Sequence, residues 1–478
     1  MASGDRQSFA RVLAARAKEQ PTDIVLVDDH HGITCSAAEL DAESNRRARA
    51  YRAAGVQHNS IVSVVLSNTV DFVVACAAIW KLGATPNPVS PELPPDTRSH
   101  LEALARPALV IGRPAMSAAI PWLPASAGAA ESAAPLPDAW ADSWKATTTS
   151  GSTGTAKIVQ AAAPALVNPH QQVAPFLPLR AVQLVTAPLW HSAQFTYAMR
   201  GLLTGHRLVL TDRFDERWFA DLVDTHRVTW TMLAPSTIRR VLRGARHSDL
   251  PSLRTLLHLG APCAPVDKRA LLDWLGPHRV VEVYAGSESN GLTMISGADW
   301  LRKPGSVGTP IGGTVVRIRR DDGTDAATGE IGQVWMRRGE QPAYTYLGGV
   351  SRRTPQGWDT LGDLGFLDDE GYLFLMDRAA DVFHHKGNPV YPARIEHALH
   401  THASVRDAVV YGSEDGQVCA VVDIADADID PATLLSAVRS QLAAHEVPTH
   451  IALTRNPLRN SAGKVRRSAF RAPIPSIV

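Results

Sequence analysis

Cysteine is scarce in this chain: Cys35, Cys76, Cys263 and Cys419 are the only four in 478 residues. None has Cys-x-x-Cys spacing, so neither a zinc ribbon nor a disulfide framework is indicated. Scattered, reduced thiols suit an intracellular protein. An excess of either charge is lacking too. With 48 Lys and Arg against 47 Asp and Glu, the formal net charge is +1. That leaves no electrostatic footprint for nucleic acid or acidic lipid, and Arg466-Arg467 reads as a solvated end. Long hydrophobic runs are missing: the longest, residues 72–80, is too short to span a bilayer. The N-terminus, Met1 to Gln7, has no apolar signal core. The expectation is a soluble cytoplasmic protein with no nucleic-acid partner and no membrane insertion. There is no Gly-x-Ser-x-Gly elbow, so serine hydrolase chemistry lacks its local signature. The pairs His30-His31 and His384-His385 do not make a metal site, because neighbours in a strand point to opposite faces.

Hydrophobic residues make up 45% and charged residues 20%, as in ordinary soluble proteins, and the length allows more than one domain. Phe9, Val12 and Leu13 recur at helical spacing within residues 8–19. Short apolar runs at 24–27, 61–66 and 109–112 alternate with helical stretches at 37–54 and 71–81, which stop at Gly55 and Gly83. This alternation predicts a parallel α/β sheet. Residues 113–142, rich in Ala, Pro and Ser, read as a surface connection. Further apolar runs follow at 184–187, 207–210, 228–233, 255–259 and 280–283. From about Gly305, strands at 315–319, 332–337 and 372–376 are separated by Gly and Asp turns. Beyond residue 380 comes a compact α+β stretch, with helices at 393–400 and 432–445 and strands at 405–411, 418–424 and 450–454.

The segment Thr147-Thr148-Thr149-Ser150-Gly151-Ser152-Thr153-Gly154-Thr155-Ala156-Lys157 combines small hydroxyl residues, glycines and a terminal lysine. Such a loop lets backbone N–H groups approach a polyphosphate. It is not a Walker A loop, which needs Gly before the Lys and Ser or Thr after it. Ala156 and Ile158 stand there instead. The loop resembles the phosphate loop of the adenylate-forming superfamily: acyl- and aryl-CoA synthetases, peptide-synthetase adenylation domains and firefly luciferase. Other landmarks of that superfamily follow in order. Tyr284-Ala285-Gly286-Ser287-Glu288 resembles its Tyr-Gly-x-Thr-Glu motif, Gly260-Ala261-Pro262 its adenine-side turn, and Leu361-Gly362-Asp363 its Thr-Gly-Asp motif. Arg378 matches its hinge arginine. Asn460-Ser461-Ala462-Gly463-Lys464-Val465-Arg466-Arg467 is similar to Asn-x-x-Gly-Lys-x-x-Arg.

The resemblance implies a role for each residue. Thr149, Ser150, Gly151, Ser152, Thr153, Gly154 and Lys157 would cradle the phosphates. Gly260, Ala261, Pro262, Tyr284 and Ala285 would flank adenine. Asp363 and Arg378 would hold the ribose, Ser287 the adenylate region, and Glu288 a magnesium ion through hard oxygen ligation. Lys464 would offset the charge that builds as a carboxylate attacks phosphorus. Pro188-Leu189-Trp190-His191-Ser192-Ala193 resembles the start of the acyl pocket, with Trp190, His191, Phe195 and Gly286 as lining residues. Amino-acid-activating relatives carry Asp near the His191 position. Its absence implies an aryl or bulky acid without a free α-amine. Trp190 and Phe195 have a second reading, as plain core residues.

The implied fold is α/β. A large N-terminal AMP-binding domain, residues 1–377, has parallel sheets plus a β-rich region. A hinge at 378–380 leads to a small mobile C-terminal α+β domain, residues 381–478, which carries Lys464. The implied reaction converts a small carboxylic acid and ATP, with Mg²⁺, to an acyl-adenylate and pyrophosphate, then passes the acyl group to CoA as co-substrate. Gly387, in the segment that CoA synthetases turn toward the site, would admit a pantetheine arm or simply make a turn. The superfamily usually has Asp or Lys two residues past the hinge arginine, where this chain has Ala380. Because relatives of this scaffold are reused in biosynthetic pathways, the resemblance also allows a carrier-protein thiol, an amine or nitrite as the acceptor. A non-catalytic nucleotide-binding relative is the reading from another class.

Overall fold

The computed structural model describes residues 5–149, 156–425, 429–459, 463, 465 and 467–470. Local signals fix the early elements. Ser36 Oγ accepts from Glu39 N at 3.2 Å, and Glu39 Oε2 accepts from Ser36 N at 2.7 Å. This capping box satisfies orphan N–H groups where the helix Ala37–Ala53 begins. The helix packs against Val70–Lys81, which is buried from Phe72 to Lys81.

The central sheet has nine strands, in the order Thr309–Pro310, Leu292–Ser296, Val280–Ala285, Thr255–His258, Trp230–Leu233, Val182–Val185, Arg207–Leu210, Ile24–Asp28 and Ile33–Ser36. Val280–Ala285 through Ile24–Asp28 are parallel, and antiparallel strands close both edges. Parallel strands are covered on both faces and so read as continuous apolar runs. Because they point one way, the turns after Val185, Leu233, His258 and Ala285 gather on one rim. The carboxyl ends of such strands are where α/β folds bind ligands.

A second, fully parallel sheet runs Thr85–Pro88, Ile61–Val64, Leu109–Ile111, Trp122–Leu123. Trp122–Leu123 lies inside the connection at 113–142, which thus contributes an edge strand as well as covering surface. Thr-Pro-Asn-Pro at 85–88 gives no strand signal in sequence. It forms the opposite edge, where the missing proline N–H groups are tolerated.

Two antiparallel sheets build the β-rich region: Ala146–Thr149, Lys157–Ala161 and Tyr344–Leu347, and then Thr314–Arg319, Gly332–Arg338, Asp363–Leu367 and Leu373–Arg378. A smaller C-terminal unit follows. Its strand Val418–Ile424 is buried throughout, antiparallel to Val405–Gly412 and parallel to His450–Thr454. The unit has its own core, centred on Val390, Ile395, Leu399, Val410 and Leu434. The helix expected over 432–445 is shorter, Pro431–Val438 with one further tight turn. The buried Glu446 carboxylate takes the Ala443 N–H at 3.0 Å and draws the chain out of helix. No helix among the described residues is long and apolar enough to cross a membrane.

Candidate active site

One cavity of about 3010 Å³ opens between the rim of the central sheet, the β-rich region and the C-terminal unit. Among its walls are His191, Gly260, Tyr284, Glu288, Asp363 and Arg378. They come from turns and strand ends spread along the chain, Tyr284 and Glu288 from the same one, and the common direction of the parallel strands brings most of them together.

The phosphate-loop segment springs from the antiparallel pair Ala146–Thr149 and Lys157–Ala161, with Thr149 opposite Lys157. Ser150, Gly151, Ser152, Thr153 and Gly154 lie outside the described residues. Lys157 Nζ sits 5.0 Å from the Tyr346 ring centroid, a cation–π arrangement. Tyr346 O–H donates to Glu288 Oε1 at 2.6 Å. Burial and the Glu288 charge push the Tyr346 phenol far above its ordinary range, so it stays a donor. Lysine, tyrosine and glutamate therefore form one connected set.

Across the cavity, Tyr284 O–H donates to Asp363 Oδ2 at 2.7 Å, and Arg378 Nε lies 3.5 Å from Asp363 Oδ1. Asp363 and Arg378 are register partners in neighbouring strands, which explains their meeting despite their separation in sequence. Burial and Asp363 hold the Tyr284 phenol well above its usual value. A Cβ on Gly286 would lie 2.6 Å from Leu361 Cδ2 and 2.7 Å from Glu288 Oε2, so a side chain there would push both chain ends aside. Ser287 and Ala285 line the cavity beside it, as do Ala261 and Pro262. The donor set fits a nucleotide with a hard cation, pairing a carboxylate for hydroxyls with a second carboxylate beside a cationic loop. No cluster of three or more His, Cys, Asp or Glu suited to a metal exists among the described residues. A phosphate-bound magnesium ion does not need one, since it takes one or two carboxylates and phosphate oxygens.

Trp190 and His191 lie at the rim, with His191 at the N-cap position of the helix Ser192–Leu203. Phe195 does not join them, which corrects the pocket expectation for that residue. It is fully buried, 5.9 Å from Trp144 and 6.2 Å from Phe72 between ring centroids. Along the helix, Ala193 and Tyr197 take the cavity side and Phe195 takes the core side, its plain structural reading.

Gly387 is absent from the cavity walls. It turns the hairpin between Phe383–His385 and Asn388–Val390, with φ of +78° after Lys386 at +52°. Two successive positive φ values mark the turn type that suits a tight hairpin. A Cβ on Gly387 would meet nothing within 4 Å, so the turn explains this glycine in the conformation seen.

Lys464 lies outside the described residues. Its neighbours Gly463 and Val465 line the cavity, and Gly463 packs so closely that a Cβ would sit 2.6 Å from Ser236 Oγ. Arg467 anchors this tail, donating to Asp381 and Glu396 at 2.7 Å each. Just before the expected hinge, Asp377 Oδ2 accepts from Ala393 N at 2.7 Å, and burial lifts its carboxyl to about 6.

Sequence reasoning missed Tyr346, Lys145, Thr196 and Arg200. Lys145 comes just before the strand Ala146–Thr149. It is 3% exposed, and its Nζ donates to Ser192 Oγ at 3.0 Å and Thr196 Oγ1 at 2.7 Å. Burial first, and Arg200 second, bring it down to about 7. The available signal was the four-residue spacing of Ser192, Thr196 and Arg200.

Comparison with known proteins gives the family and the fold. The AMP-binding enzyme family model matches residues 13–347, and the model of the AMP-binding enzyme C-terminal domain matches 394–464. The chain is 29% identical over 440 residues to 4-coumarate--CoA ligase 5 of Oryza sativa subsp. japonica, covering 84% of this chain and 81% of that one. Its fold is similar to o-succinylbenzoate CoA synthetase (MenE) from Bacillus subtilis, solved in complex with the acyl-adenylate intermediate OSB-AMP. That match has a TM-score of 0.85 at 22% identity and covers 99% of this chain and 100% of that one. The amide bond synthetase McbA from Marinactinospora thermotolerans matches with a TM-score of 0.78 at 25% identity, covering 97% and 98%.

Proposed function

The chain belongs to the AMP-binding enzyme family, and from that premise we propose that it activates a carboxylic acid with ATP and passes the acyl group to CoA. The observation that carries this reading is the pairing of two carboxylates within one cavity. Asp363 is held by Tyr284 and Arg378, and Glu288 is held by Tyr346 beside Lys157. Asp363 takes the ribose hydroxyls, Tyr284 and the Gly260–Pro262 turn flank the base, and the Thr149–Lys157 segment takes the phosphates. Glu288 would hold Mg²⁺, whose chemistry is charge neutralisation on the triphosphate.

In the first step a carboxylate oxygen of the acid bonds to the α-phosphorus, and the bond to the pyrophosphate oxygen breaks. Negative charge builds on the phosphoryl oxygens, and Lys464, Lys157 and the loop N–H groups stabilise it. In the second step the CoA sulfur takes the acyl carbon and AMP leaves. We place the domain boundary at 377, the hinge at 378–380 and the C-terminal domain at 381–478. Turning that domain is what would bring Gly387 to the cavity. Dependence on ATP and CoA suits a cytoplasmic location. His191 stands where amino-acid-activating relatives carry the Asp that receives an α-ammonium group, which favours aryl or bulky acids over amino acids.

A second reading keeps the first step and changes the acceptor. Ala380 at the hinge and the likeness to an amide bond synthetase favour an amine. A carrier-protein thiol and nitrite belong to the same test. Acid-dependent exchange of pyrophosphate into ATP should occur across a panel of acids and fall by about a hundredfold or more in Lys464→Ala. The adenylate, once formed, is offered CoA, a carrier protein, an amine and nitrite in turn, and products are read by mass spectrometry. No exchange with any acid rejects activation. Consumption of an amine in preference to CoA rejects the thioester.

A further inference from the structure

The helix Ser192–Leu203 presents Ser192, Thr196 and Arg200 along one line, each a turn apart. Facing that line, Lys145, just before the strand Ala146–Thr149, and Thr147 within it both reach the helix hydroxyls. Thr147 O–H donates to Ser192 Oγ at 3.1 Å, and Thr196 O–H donates to the Ser192 carbonyl at 2.6 Å. Lys145 bonds both hydroxyls. Arg200 stacks its guanidinium 4.5 Å from the Trp144 ring centroid and 5.6 Å from that of Phe9.

All of Trp144, Lys145, Ser192, Thr196 and Arg200 line the same cavity as Glu288 and His191. Among the described residues, no carboxylate lies within ion-pair distance of Lys145 or Arg200. The carboxylate whose charge reaches Lys145 is Glu288, which the Tyr346 phenol already holds. Two cations in one buried wall repel each other, and the solvation removed from them is not replaced by an internal anion. Hydroxyls alone are weak compensation for a buried ammonium. A planar guanidinium seated on an aromatic face in a cavity wall is suited to clamping a carboxylate.

We propose that the acid activated here is a dicarboxylate, whose second carboxylate docks between Lys145, Thr196 and Arg200 while the first reacts beside His191 and Glu288. The inference rests on the reading of the cavity as an acid-activating site. The second carboxylate accepts from the Lys145 ammonium and from the Arg200 fork, and supplies the anion that this wall lacks. The carbon skeleton between the two carboxylates passes the apolar side of the helix at Ala193 and Tyr197. Monoacids of the same length leave both cations unpaired, and their binding does not relieve the repulsion. The wall is thereby a specificity device for charge at the far end of the substrate.

The experiment compares aryl and alkyl dicarboxylic acids, each with its own monomethyl ester, in pyrophosphate exchange. The wild type should prefer the diacid by at least about tenfold in kcat/KM. Arg200→Gln should reduce that ratio by about tenfold, and Arg200→Lys should restore part of it. Lys145→Met serves as an independent second variant. A wild-type enzyme that ranks monoesters equal to or above diacids overturns the proposal. So does a ratio that survives in both Arg200→Gln and Lys145→Met. If Arg200→Gln instead weakens ATP binding in calorimetry, the cations serve the triphosphate and the proposal is overturned. If no acid supports exchange, the activation reading fails separately. Calorimetry with the diacids then decides: binding that is lost in Arg200→Gln supports the anion site, and no binding rejects it.

Discussion

Replacing Asp363 with Asn tests the nucleotide half of the site. The substitution keeps the shape and removes the charge. In the structure Oδ2 accepts from Tyr284 at 2.7 Å and Oδ1 lies 3.5 Å from Arg378, so two neighbours fix the direction of the carboxylate. A hydrogen bond to a charged group contributes ~1.5–3 kcal/mol net. Because Tyr284 and Arg378 already share the carboxylate, the loss is set at the scale of one such bond, which corresponds to about 10–150-fold in the Kd for ATP. The Arg378 side chain is 43% exposed, so its ion pair contributes little to folding and the variant should stay folded. Tyr284→Phe keeps the ring and removes one orienting bond, a loss of ~0.5–1.5 kcal/mol or about 2–12-fold. In the Asp363→Asn background that second loss should shrink, since the charged acceptor is already gone. Isothermal calorimetry with ATP, alongside thermal melts, reads all four proteins. Wild-type ATP affinity in a folded Asp363→Asn protein would refute the placement of the ribose at this carboxylate.

Further expectations follow from the same geometry. Tyr346→Phe frees Glu288 of its 2.6 Å donor, and the Mg²⁺ concentration for half-maximal exchange should rise by about tenfold, the scale of losing such a supporting bond. An unchanged Mg²⁺ titration would remove Tyr346 from that role. Lys145 has its pKa brought down from 10.5 to about 7. Between those values the unfolded chain binds the extra proton, so this lysine destabilises the fold fully below about pH 7 and less as pH rises toward 10.5. Lys145→Met should therefore raise Tm more at about pH 7 than at about pH 9, by differential scanning calorimetry. An equal gain at both pH values would mean the lysine is not titrating there.

Much of the molecule can be read from residues close together in the chain. The central strands announce themselves because parallel strands are covered on both faces, and Trp230–Leu233 or Arg207–Leu210 have no polar alternation to confuse with a surface strand. Tyr284, Gly286 and Glu288 stand within five consecutive residues, so their spacing is visible without a fold. Asp363 and Arg378 are legible as motif members, and their facing one another is a matter of register. Three things were decided only by tertiary packing. Phe195 belongs to the core and Ala193 to the cavity, because what lies across the helix selects its face. Thr85–Pro88 became a strand against its composition, because an edge position asks for no proline N–H. Lys145 and Arg200 became an uncompensated pair of cations only when a strand and a helix closed around them. A side chain's charge is written in the sequence, but its desolvation depends on every neighbour that excludes water from it.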